Sequence, residues 1–263
     1  MVVQHNMQAA NSNRMLGKAV KNVSSSAEKL ASGYKVNRAA DDAAGLSISE
    51  KMRAQIRGLN QAVENAEDGI SLIQTAEGNM NEMHSILQRM ETLADKAAND
   101  INGTEDRATI ADEMNALKNE LDSIKTRAKY NGKQLSSFTG YLQIGANAGD
   151  NMTITCEVSV SISNTTVDNH ANASKSLSAI QKAIKEVSKR RSALGAVQNR
   201  LGYTVNSISN YSENLQSAES RIRDTNMAAE MTQYANNNII QQAAQSILAQ
   251  ANQSTQGVLS LLQ

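Results

Sequence analysis

Proline is missing from the 263-residue chain, where average usage of about 5% would place roughly 13. No ring removes an amide donor or breaks a helical run. Tryptophan is missing too and aromatics make up 3%. The core must then come from Leu, Ile, Val, Met and Ala, side chains suited to helical seams, and a compact enzyme with a deep apolar pocket is disfavoured. Lys and Arg total 26, as do Asp and Glu, so no basic surface is offered to nucleic acid or anionic lipid. The single cysteine, Cys156, has no second thiol for a disulfide or metal site and reads as a small apolar strand residue. His5, His84 and His170 lie on different elements without metal-ligand spacing, and Gly132-Lys133 lacks the earlier glycine of a phosphate loop. Neither catalysis nor a cofactor is expected. No run of about 18 apolar residues is present for membrane insertion. The start lacks the charged segment and apolar stretch of a cleavable secretory signal, so export would need another route.

What is present is helical periodicity. From Met52 the apolar positions Ile56, Leu59, Val63, Ala66, Ile70, Ile73, Met80, Met83, Leu87 and Met90 recur mainly at steps of four and three. This predicts a rod from Gly45 to Asn99, roughly 80 Å long, with one narrow seam. Asp41 and Asp42 stand where they can cap it. Gly58, Gly69 and Gly78 lie inside it and cost about 1 kcal/mol each relative to Ala, which marks them as places of close backbone approach. A second helix is expected from Thr104, with Ile110, Met114, Leu117, Leu121, Ile124 and Ala128 on one face and Asn131-Gly132 as its stop. Leu142 and Ile144, the turn GANAGD, then Met152, Ile154, Cys156, Val158, Val160 and Ile162 at period two predict a β-hairpin at about 139–165. A third long helix is expected from near Ser174, carrying Leu177 to Ile222 at heptad spacing. The fold class is therefore mainly α: long antiparallel helical rods in a coiled-coil-like bundle with a small β-hairpin.

The ends differ from the middle. Residues 1–33 read as a weakly amphipathic helix. Residues 227–263 hold one charged side chain, Glu230, and twelve Gln or Asn, while keeping Met231, Ile239, Ile240, Ile247, Leu248, Val258, Leu259 and Leu262. A neutral helix with an apolar face and little to cover it is either disordered in a monomer or reserved for assembly.

The stretches KLASGYKVNRAADDAAGLSISEKMRAQIRGLNQA, NAEDGISLIQTAEG, LGAVQNRL, SAESRIRDTNMAAEM and LAQANQSTQGVLSLLQ resemble bacterial flagellin, in order and at both ends. The match covers roughly residues 1–138 and 173–263. The resemblance implies a structural subunit that polymerises into the flagellar filament for motility. It also implies a terminal-helix assembly domain (1–42 and 224–263) whose helices pair on assembly as the inner tube, and a rod domain (43–223). Only about 35 residues separate the two halves, so the large outer domains common in the family are absent. Glu64 replaces the usual basic residue before NAEDG.

The resemblance further implies secretion through the flagellar type III export apparatus with an export chaperone, contacts with filament cap and junction proteins, and recognition by host Toll-like receptor 5. By that resemblance, Arg89, Leu93 and Glu113 in LQRMETLADKAAND and IADEMNAL are the receptor-binding positions. The alternatives are a hook-filament junction or type III secretion filament component, and a soluble coiled-coil adaptor. The nearly uncharged tail argues against the adaptor, whose flanks stay charged.

Overall fold

The computed structural model describes residues 6–162 and 165–260. They fall into two compact units, Met1–Ala54 with Asn214–Gln263, and Gln55–Glu213. The elements in chain order are α1 (Met7–Ser32), α2 (Ala43–Ala98), α3 (Thr104–Arg127), β1 (Lys129–Tyr130), β2 (Lys133–Gln134), β3 (Phe138–Gln143), β4 (Asn151–Cys156), α4 (His170–Arg223) and α5 (Met227–Ser260).

In the unit of residues 55–213, α2 buries Leu59, Ala62, Ala66, Gly69, Ile73, Ala76, Met80, Met83, Leu87, Met90, Ala94 and Ala97, an unbroken alternation of steps three and four. This corrects the seam expected from side-chain size. Ala62 and Gly69 occupy it, and their larger neighbours Val63 and Ile70 lie half-buried beside it. At Gly69 the reason is close approach. A Cβ on Gly69 would fall 2.7 Å from Leu142 Cδ2, and one on Gly58 would fall 3.0 Å from Ala146 Cβ and 3.2 Å from its Cα. At Gly78 the space is open, so the third glycine marks no such approach. Gly78→Ala is expected to stabilise the fold by about 1 kcal/mol through helix propensity. Gly58→Ala is expected to destabilise it by about 1 kcal/mol, because backbone overpacking outweighs the same gain. Urea midpoints moving in opposite directions would check this, and equal shifts would refute it.

α4 repeats the pattern with Ala173, Ser176, Ile180, Ala183, Val187, Leu194, Leu201 and Ile208 buried. It starts at His170 rather than near Ser174, because Asn169 Oδ1 accepts the Asn172 amide at 2.8 Å and caps an earlier turn. α3 starts with Asp106 Oδ2 accepting the Gly103 amide at 3.2 Å and buries Ile110, Met114 and Leu121.

Asn131-Gly132 is not the helix stop. α3 ends at Arg127, and the pair, both at positive φ (45° and 76°), turns the β1–β2 hairpin, as a two-residue turn matching strand twist requires. The larger hairpin pairs β3 with β4 from Phe138↔Cys156 to Gln143↔Asn151. Period two predicts a second strand reaching Ile162, but β4 ends at Cys156. The chain before Phe138 is a 3₁₀ turn (Leu135–Ser137) and offers no further strand. Val158, Val160 and Ile162 stay buried in alternation, while Arg190 Nη1 donates to the carbonyls of Glu157 (2.9 Å) and Ser159 (2.7 Å). The side chain thus supplies what a neighbouring strand would have supplied.

In the other unit α1 and α5 pair, and Asn6 Nδ2 donates to the Ala251 carbonyl at 3.0 Å. Gly33, in the left-handed conformation, ends α1. The connector after it is tied down: Lys35 N donates to Arg223 O at 2.6 Å and Thr225 N to Gly33 O at 2.9 Å, and the Arg223 guanidinium lies 4.5 Å from the Tyr34 ring centre.

Candidate functional site

The two aspartates before α2 divide their work. Asp42 Oδ1 caps the helix by accepting the Gly45 amide at 2.9 Å. Asp41 Oδ2 accepts the amides of Arg38 (2.9 Å) and Asn37 (3.2 Å), and these bonds hold its carboxyl below the usual range. Glu28 is lowered by the Asn37 amide and then the Arg38 guanidinium, and Glu50 chiefly by Arg223. These are structural ties of the connector. His84 contacts Gln88 and His170 contacts the Ala98 carbonyl, while His5 lies outside the described residues. Burial pushes the Cys156 thiol up to about 11, which keeps it protonated and unreactive at neutral pH.

Arg89 on α2 and Glu113 on α3 come together: Nη2 and Nε donate to one oxygen, Oε1, at 2.7 and 3.0 Å. Both side chains remain well exposed, so solvent screening keeps the pair's contribution to stability small. Leu93 is 5% exposed. It lies on the Arg89 side by the four-residue spacing, yet it is buried and belongs to the core. It forms part of the lining of a groove of about 510 Å³ shared with Arg89, Thr92, Lys96, Ile110 and Glu113. Lys96 and Ile110 were not picked out from sequence, since one reads as a helix-end charge and the other as a seam residue.

On α5, Met231, Ile239, Ile240 and Ile247 are more than half exposed. Leu248 is half-buried, on the side that carries the buried Ala251. The side chains of Val258 and Leu259 lie outside the described residues, as does Leu262. The helical tail is formed and paired, and Met231, Ile239, Ile240 and Ile247 on it are left uncovered. No helix among the described residues is long and apolar enough to cross a membrane.

Long heptad rods carrying a small hairpin, with a pair of terminal helices of which α5 is nearly uncharged, define a helical structural protein. Residues 3–141 match the family described as bacterial flagellin N-terminal helical region, and residues 177–262 the bacterial flagellin C-terminal helical region. The chain is 48% identical to a flagellin of Halalkalibacterium halodurans, with all of both chains covered. It is 43% identical to a flagellar filament 33 kDa core protein of Treponema phagedenis, again over all of both. It resembles the crystal structure of Bacillus cereus flagellin with a TM-score of 0.51 at 25% identity, covering 59% of this chain and 94% of that one. The chain belongs to the bacterial flagellin family. It is a structural subunit of the flagellar filament, not an enzyme.

Proposed function

We propose that this subunit polymerises through the paired α1 and α5, which form an inner tube, while the rods of residues 43–223 form the layer around it. The observation that carries this reading is the row of large apolar side chains left exposed on a nearly neutral helix: Met231, Ile239, Ile240 and Ile247. Such residues gain burial only from neighbouring copies. Val258, Leu259 and Leu262 extend the set by sequence. Electron microscopy of purified protein under polymerising conditions tests it, and the absence of filaments would refute it.

The subunit travels to the cell exterior through the flagellar type III export apparatus, delivered by an export chaperone, and meets cap and junction proteins at the filament ends. A chain with no proline and a single cysteine suits passage unfolded. Secretion is expected to fall at least tenfold in cells lacking that apparatus. Normal secretion from them would refute the route.

Host Toll-like receptor 5 binds the groove edge at Arg89 and Glu113 over Leu93. An Arg held by a carboxylate beside an aliphatic residue is a suitable anchor. The same surface serves contacts between copies, so monomer binds and intact filament does not. Arg89→Ala is expected to weaken binding by about 2 kcal/mol, roughly 30-fold. Unchanged affinity of a folded Arg89→Ala, Glu113→Ala variant would remove these residues from the site, and normal binding by filaments would refute the shared surface.

A further inference from the structure

The loop joining α2 to α3 carries Ile101, 88% exposed beside Asp100, whose side chain is 80% exposed even while paired to Arg107 at 2.9 Å. A second place in the same unit is its counterpart. Leu72, Phe138, Tyr141, Leu142 and Ile154 line an apolar groove of about 180 Å³ between α2 and the two hairpins. A cavity of about 150 Å³ takes a benzene-sized guest, so one branched aliphatic side chain fits. Asp68 and Lys133 also line it, the Lys133 ammonium 5.7 Å from the Phe138 ring centre, and no ion pair within 4 Å joins Lys133 to a carboxylate among the described residues.

A chain cannot fill its own groove. Leu72 and Ala98 are separated by 26 residues of a single helix, about 39 Å at 1.5 Å per residue. We propose that Ile101 of one copy docks in the Leu72–Phe138–Tyr141 groove of the next, with Asp100 against Lys133. The occupant is therefore a second copy of this chain, in which Asp100 is complementary to the Lys133 side of the groove, away from Asp68. The contact joins two different patches and displaces successive copies by about that same length along the rod. It is heterologous and does not close, which is the geometry that yields an open row rather than a dimer. The proposal rests on the filament reading above and assigns it a specific contact between rods.

Removing most of an aliphatic anchor raises the critical concentration for growth, about tenfold for Ile101→Ala. Lys133→Asp and Asp100→Lys should each raise it severalfold, and the doubly reversed chain should recover most of the loss. A Cys156→Ala chain carrying Ile101→Cys and Tyr141→Cys, treated with a short bis-maleimide, should give a ladder of covalent multimers from filaments and none from dilute monomer. Circular dichroism establishes that each variant is folded. Filaments that form without a ladder, or charge reversals that fail to compensate, would overturn the contact and leave the filament reading intact. Failure of the unsubstituted chain to polymerise would instead overturn the filament reading.

Discussion

A chain ending at Asn226 is expected to form no filaments at any concentration at which the full chain polymerises, while the unit of residues 55–213 keeps its helical signal and its urea midpoint. The reason lies in what each unit buries. Residues 55–213 hold a continuous core from Ala66 to Leu201 that includes four methionines almost wholly out of water, Met80, Met83, Met90 and Met114. Among the described side chains, α1 and α5 bury only Ala19, Ser26 and Ala251, small side chains whose transfer contributes little against the entropy of fixing two helices. In the free monomer the amides from Ile239 to Leu248 should therefore exchange within seconds to minutes. In the filament, where neighbouring copies cover them, protection should rise by several orders of magnitude. Strong protection in verified monomer, or filament growth by the shortened chain, would refute this account.

Long-range order was legible in the sequence wherever a single period ran far enough to average out local noise. The rods of α2 and α4, the Asp42 cap and the reversal at GANAGD all follow from period and capping chemistry. What escaped was set by contacts distant in sequence. Ala62 and Gly69 hold seam positions that Val63 and Ile70 would have taken on hydrophobicity alone, and at Gly69 the strand carrying Leu142 presses on α2. Asn131-Gly132 obeys hairpin chemistry rather than helix termination. A signal for this was available in the pair itself, the strongest two-residue hairpin turn. Arg190 occupies a slot three residues after Val187 and four before Leu194, where an apolar residue is expected. That break in the pattern marked the side chain that satisfies the carbonyls of Glu157 and Ser159. At the groove, Arg89 and Glu113 were singled out by the resemblance, and their ion pair is seen in the structure. The burial of Leu93 was not legible, since it depends on packing against residues distant in sequence.

Leu87→Ala should be the most damaging single truncation argued from this core. Leu87 is 0% exposed, between Met83 and Met90 on the same seam, also at 0%. Removing three heavy atoms loses their transfer free energy and leaves a cavity, a combination that costs about 2–5 kcal/mol for Leu→Ala. The neighbours decide where in that range the value falls. Unbranched thioethers with three rotatable bonds can lean into a vacated space more readily than β-branched side chains, which places the loss near 3 kcal/mol. For a unit of this size that corresponds to a Tm lower by about 6–12 °C. The urea midpoint should fall with an unchanged slope, because the surface exposed on unfolding is nearly the same. If the methionines are the reason for a loss below the upper limit, then Met83→Val together with Met90→Val should make the same Leu87→Ala change cost more, by about 1 kcal/mol in a double-mutant cycle. A Leu87→Ala loss under about 1 kcal/mol would show that α2 does not seat this residue in a packed core. A cycle with no coupling would show that the methionines do not relieve the cavity.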